Sequence, residues 1–75
     1  MKEIIEVLNE VKPGEDYENA TNLITGGILT SFDIVTLVSL LNMKFDINIG
    51  VVDLIPENFE SIKAIEDLVN KLKNN

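Results

Sequence analysis

The spacing of apolar residues constrains this fold more than any other feature of the sequence. In a first segment, about Lys2–Val11, apolar residues recur every three or four positions, and Pro13 follows as a stop signal. The same spacing returns at about 31–44 and 61–72, with Ser61 as the expected N-cap of the last segment. No strand-like alternation, repeat or low-complexity tract stands out. The whole 75-residue chain is therefore predicted to be one all-α domain.

The expected architecture is a small four-helix bundle, with three main helices and one short helix or turn at about 51–54. A long connection at 15–30 separates the first two helices, and a loop of this length in so small a domain is often functional. Its four aliphatic residues predict that it packs against the helices, and Tyr17 is expected to anchor it. Gly26 and Gly27 give the backbone freedom just before Ser31. The aliphatic residues are Leu23, Ile24, Ile28 and Leu29.

The second helix carries two partly apolar faces when it is drawn at 3.6 residues per turn. The face expected in the core contains Ile34, Leu37, Val38, Leu41 and Phe45. The opposite side begins with a phenylalanine, and an apolar stripe that faces away from the core is typical of a contact surface. This outer side contains Phe32, Val35, Thr36, Ser39 and Met43. We expect Phe32, Val35, Ser39 and Met43 to form a docking surface for partner proteins.

Composition removes several kinds of chemistry. The chain has no cysteine and no histidine, which excludes disulfides, thiolate nucleophiles, histidine-based triads and structural zinc sites. Its net charge of −7 disfavours nucleic-acid binding and favours basic partner surfaces. The stretch 46–57 matches part of a calcium-loop pattern, but Val51 stands where that loop needs glycine, so we interpret it as an acidic turn. The expectation is a protein that is not an enzyme, without catalytic residues or a metal site.

The chain also shows no export or membrane signal. Its N-terminal segment has no long apolar run, and the most apolar region is too short and too polar to span a bilayer. We therefore expect a cytoplasmic monomer without membrane insertion.

Ser31 stands at the predicted start of the second helix and has two interpretations. In the first, Thr30 is the N-cap, Asp33 completes an approximate capping box, and Ser31 is only a residue of the first turn. In the second, Ser31 presents an exposed hydroxyl that carries a phosphate-containing group. The unpaired amides and the positive end of the helix dipole favour an anion at that place.

The sequence resembles the phosphopantetheine carrier proteins, the family of acyl and peptidyl carriers. The resemblance lies in Gly27-Ile28-Leu29-Thr30-Ser31-Phe32-Asp33, in the apolar helix that follows, and in Phe45-Asp46-Ile47-Asn48-Ile49. It continues through Pro56-Glu57-Asn58-Phe59-Glu60-Ser61-Ile62 and Ala64-Ile65, and thus covers nearly the whole chain. The length, the acidity and the order of helices are also similar.

This resemblance implies an acyl-carrier-like bundle in which Ser31 carries 4′-phosphopantetheine. A phosphopantetheinyl transferase would install the group from coenzyme A. An acyl- or aminoacyl-loading ligase or synthase would then charge the thiol of the arm, for transfer between cytosolic enzymes of fatty-acid or secondary-metabolite biosynthesis. Leu29 and Phe32 would flank the base of the arm, and the bundle core would shelter a short cargo.

The sequence departs from the family at Thr30, where carriers usually have the aspartate that the transferase commonly recognises. The alternative is therefore a carrier-fold interaction module that is not phosphopantetheinylated. Thr36, Asn42 and Met43 also stand where fatty-acid carriers often have acids, so docking is expected to be less electrostatic. The segment 54–59 is more similar to D-alanyl and other aminoacyl carriers.

Overall fold

Helices form all the regular structure in the part of the chain that the computed structural model describes, residues 2–73. The three α-helices are α1 (Lys2–Val11), α2 (Ser31–Phe45) and α3 (Ile62–Lys73). Two 3-10 helices of one turn each, Val51–Asp53 and Pro56–Asn58, lie between α2 and α3. The all-α prediction is confirmed. A fourth α-helix is not found within residues 2–73, since the short element predicted at 51–54 is a single 3-10 turn.

Caps explain where the later helices begin and end. The Ser61 hydroxyl accepts a hydrogen bond from the Ala64 amide at 3.1 Å, so Ser61 is the N-cap of α3, as predicted. At its other end α2 runs one residue beyond the predicted limit. It stops at Asp46, which adopts the left-handed conformation with φ of 55° and donates its backbone N–H to the Asn42 carbonyl.

The core is built from the inner faces of all three helices together with the long loop. α2 contributes Leu37 and Leu41 as fully buried residues, whereas its other inward residues are only half-buried. The radius of gyration is 11.1 Å, close to the roughly 11 Å expected of a compact chain of this length. The remaining buried residues are Ile4, Val7, Leu8, Tyr17, Leu23, Leu29, Ile49, Phe59, Ile65, Leu68 and Val69.

The long loop packs against the helices, which confirms the sequence prediction. Tyr17 is buried and donates its hydroxyl to the Lys12 carbonyl, and the Lys12 ammonium donates to the Ile28 carbonyl at 2.9 Å. Burial raises the pKa of the Tyr17 phenol, and the nearby acids Glu15 and Asp33 raise it further. Burial and the hydrogen bond to the Lys12 carbonyl thus make Tyr17 an anchor for the loop.

The two neighbouring glycines form a tight turn near the end of this loop. Gly27 has a φ of +77°, a conformation that other residues rarely adopt. A Cβ atom at Gly26 would lie 2.5 Å from the Asn22 carbonyl oxygen, which accepts the Gly26 amide at 2.7 Å. Each glycine is thus required by a different geometric constraint on the approach to α2.

None of the helices within residues 2–73 has the length and apolar character needed to cross a lipid bilayer.

Candidate functional site

Ser31 is the first residue of α2 and is exposed. The turn that holds it is fixed by its neighbours: the Asp33 amide donates to the Thr30 hydroxyl at 3.2 Å, and the Thr30 amide donates to the Asp33 carboxylate at 3.0 Å. This pair is a complete capping box, so the predicted cap is confirmed. Because Thr30 and Asp33 do the capping, the Ser31 hydroxyl is left outside the capping contacts on a firmly held helical turn.

The amides and the dipole of α2 determine the electrostatics of this turn. The first-turn amides and the positive end of the α2 dipole favour negative charge. The chain has no histidine, and the carboxylate on the same turn as Ser31, that of Asp33, already accepts the Thr30 amide at 3.0 Å.

A cavity of about 350 Å³ opens directly beside Ser31. Volumes of roughly 300–1,000 Å³ are usual for small-molecule sites, so this one is at the lower end. Apart from Ser31, every residue that lines the cavity is apolar. These residues are Ile24 from the loop, Ile34 and Val35 from α2, and Leu54, Ile55, Pro56 and Phe59 from the segment before α3. A group attached at Ser31 would thus stand at the mouth of an apolar hollow.

The cavity differs from the sheltering core that the sequence suggested. Among the predicted core residues of α2 only Ile34 lines it, because Leu37 and Leu41 are fully buried in the interior. Leu29, expected to flank the arm together with Phe32, is also buried in the core, so that part of the prediction is wrong. Phe32 is exposed next to Ser31.

Sequence reasoning missed the wall formed by Leu54, Ile55 and Phe59. The signal was present, since Leu54 and Ile55 precede the proline-containing turn and Phe59 follows it, in a segment too short to form a long amphipathic helix. Periodicity assigns such residues to no face. Only the folded chain shows that they close the cavity opposite α2.

The outer face of α2 carries large exposed apolar side chains. Phe32, Val35 and Met43 are 79%, 65% and 80% exposed, and Ser39 is also exposed. The structure thus brings the four predicted docking residues to the surface, with Phe32 and Val35 next to Ser31 along the helix. Met43 lies toward the other end, where it borders a second, shallower hollow of about 260 Å³ together with residues of α1.

The first 3-10 turn also exposes apolar side chains. Val51 and Val52 are 85% and 86% exposed, and neither was among the predicted docking residues. Large exposed apolar side chains in such number are typical of an interaction site when they form one patch. The candidate site therefore comprises Ser31, the cavity beside it, and exposed apolar residues on α2 and the 3-10 turn.

Acidic residues near this surface serve the fold. In the acidic turn at 46–57, the Asp53 carboxylate accepts a hydrogen bond from the Gly50 amide at 3.1 Å. The Asp53 carbonyl, in turn, accepts one from the Asn58 side-chain amide at 2.8 Å. Within residues 2–73, no group of three or more acidic side chains is placed to hold a metal ion.

Comparison with known proteins adds no assignment: no protein-family profile, curated protein or solved structure matches the chain.

Proposed function

We propose that this protein is a small carrier protein that holds acyl intermediates as thioesters on a 4′-phosphopantetheine arm attached to Ser31. The observation that carries the proposal is the exposed Ser31 hydroxyl, held on the first turn of α2 at the mouth of an apolar cavity. The phosphodiester of the arm would lie where the amides and dipole of α2 favour an anion. In this proposal the fold is an acyl-carrier-like bundle whose fourth element is reduced to 3-10 turns.

The lining of the cavity favours an acyl cargo over an aminoacyl one. A charged amine would lose its hydration among Ile24, Ile34 and Phe59 without a side chain to replace the lost hydrogen bonds. An alkyl chain would bury apolar surface there, at a gain of roughly 25 cal/mol for each Å². Short acyl groups fit a volume of this size best, and longer chains would extend to the surface.

Partner enzymes would dock on the exposed apolar face of α2. Phe32, Val35, Ser39 and Met43 form its centre, close enough to Ser31 for one partner to cover both. The partners are a phosphopantetheinyl transferase, which uses coenzyme A, and a loading ligase or synthase in the cytosol. All charged residues at 13–43 and 45–62 are acidic, so basic rims on these enzymes would guide a monomeric carrier to them.

Intact-mass spectrometry tests the proposal directly. The purified protein is incubated with coenzyme A, magnesium and a transferase of broad specificity. We expect wild type to gain the mass of one phosphopantetheine group and Ser31→Ala to gain none. Thr21→Ala is the control, because Thr21 is an exposed hydroxyl residue of the loop, outside the proposed docking face, and its loss should leave the modification unchanged.

Two outcomes would contradict the carrier proposal. A mass gain that persists in Ser31→Ala would place the attachment elsewhere. Unmodified wild type, when a known carrier in the same reaction is fully modified, would favour the second candidate function, an interaction module without an arm.

The capping box is the observation that favours this second candidate. Thr30 replaces the acid usual before the serine, and the nearest carboxylate, Asp33, is turned back onto the Thr30 amide. A transferase that reads an acid there would find none available. The variant Thr30→Asp separates the two cases, since a gain of modification in the variant alone would show that the serine is competent and that only its recognition is lost.

A further inference from the structure

Glu60, two residues before α3, accepts three hydrogen bonds from the long loop. Three successive backbone amides of the loop point at this residue. The Leu23 amide donates to the Glu60 carbonyl at 3.0 Å, while the amides of Ile24 and Thr25 donate to its carboxylate at 2.9 and 3.1 Å. Two neighbouring amides directed at one carboxylate oxygen form a charge-assisted contact, stronger than an ordinary amide–carbonyl bond.

These three hydrogen bonds, here called the Glu60 clamp, join two walls of the cavity beside Ser31. Ile24, whose amide is one of the donors, lines the cavity from the loop side. Phe59, the residue immediately before Glu60, is buried and lines it from the α3 side. The clamp therefore ties adjacent backbone positions of both walls together, and the separation of the two walls depends on it.

We propose that Glu60 is a positioning residue that sets the width of this cavity, and with it the size of apolar group that can enter beside Ser31. The inference concerns the cavity alone and holds whether or not Ser31 carries an arm. Packing of Ile24 is not sufficient for this role, because Ile24 is only half-buried and its loop makes a tight turn at Gly26 directly afterwards. Without the carboxylate the amides of Ile24 and Thr25 would turn to water, and Ile24 would leave the wall.

Amide hydrogen exchange measured by NMR tests this role. We expect Glu60→Ala to raise the exchange rates of Ile24 and Thr25 by about tenfold or more, beyond any change at core amides such as Leu8 and Val69. Glu60→Gln keeps an oxygen acceptor and should retain most of the protection. Glu57→Ala is the matched control, because Glu57 is an exposed acid on the same segment.

The methyl resonances of Ile24 and Val35 report the cavity itself, since both residues line it. They should shift in Glu60→Ala and stay near their wild-type positions in Glu60→Gln and Glu57→Ala. Unchanged methyl shifts in Glu60→Ala would overturn the proposal. So would amide exchange rates that rise by the same factor in α1 and α3 as at Ile24 and Thr25, because Glu60 would then stabilise the whole fold and not the cavity wall.

If Glu60→Ala does not fold, the folded wild type supplies the same test. As the pH is lowered, the chemical shifts of the Ile24 and Thr25 amide protons should change with the same midpoint as the shift of the Glu60 carboxyl carbon, because both amides donate to that carboxylate. Amide shifts that are independent of the Glu60 titration would overturn the clamp. All of these measurements use the unmodified protein, so their failure is distinguishable from a failure of modification at Ser31.

Discussion

The interior between the three helices and the end of the molecule around Ser31 are held together by opposite means. In the interior, apolar side chains such as Leu8, Leu41 and Val69 are buried. Around Ser31, large apolar residues are exposed, and polar contacts fix the backbone instead: the Thr30–Asp33 capping box and the Glu60 clamp. The apolar residues of the interior thus stabilise the fold, while the Ser31 end retains apolar surface that is not buried within the domain.

Truncation of one side chain in each region gives the largest expected contrast. Leu41→Ala removes a fully buried side chain and should lower the free energy of unfolding by about 2–5 kcal/mol. Phe32→Ala removes a larger side chain on the same helix, but one that is exposed, and should change it by no more than about 0.5 kcal/mol. Urea denaturation followed by far-ultraviolet circular dichroism measures both.

A cost for Phe32→Ala comparable to that of Leu41→Ala would break the comparison. It would mean that Phe32 packs against the domain in solution and is not available to partners.

The helical cap gives the next effect in size. Thr30→Ala removes the hydroxyl that accepts the Asp33 amide and should cost about 1 kcal/mol, within the 0.5–2 kcal/mol usual for N-caps. Thr30→Ser keeps the acceptor and should cost little, which makes it the control. Thermal unfolding of the three proteins measures the difference. Equal losses in both variants would show that the methyl group, not the cap, is the stabilising element.

The contrast between the two regions also explains what the sequence could predict. The limits of α1, α2 and α3 followed from apolar spacing and caps to within about one residue, because each signal acts over a few neighbouring positions. The burial of Leu37 and the exposure of Phe32 followed in the same way from the helical wheel of α2. Local chemistry therefore sufficed for the helices and for the place of Ser31.

The cavity and its clamp did not follow from the sequence. Glu60 bonds to amides 35 and 36 positions away, and nothing in a local pattern identifies such a pair. Phe59 and Leu54 belong to irregular segments without a periodicity that would assign them a face. Leu29 packs against the helices, as predicted for the loop, and it is this burial that contradicts the separate expectation that it flanks the arm.

The smallest expected effect is an acid-dependent one at Glu60. The Thr25 amide lowers the pKa of the Glu60 carboxyl, the Ile24 amide and Thr25 side chain lower it further, and partial burial opposes them. A carboxyl whose pKa is lower in the folded state than in the unfolded chain, about 4.3 for glutamate, stabilises the fold above that unfolded value. This contribution is lost as the pH falls through the pKa of folded Glu60.

The difference in unfolding free energy between wild type and Glu60→Gln measures this contribution. It should be constant above about pH 5 and should shrink as the pH falls further, because protonation then removes from wild type the charge that the variant never had. The parallel series with Glu57→Gln is the control, because Glu57 is an exposed acid on the same segment. A Glu60 difference that does not vary with pH would mean that the two amides are bound equally well by a neutral oxygen. The contact between Glu60 and the loop would then depend on hydrogen bonding, without help from charge.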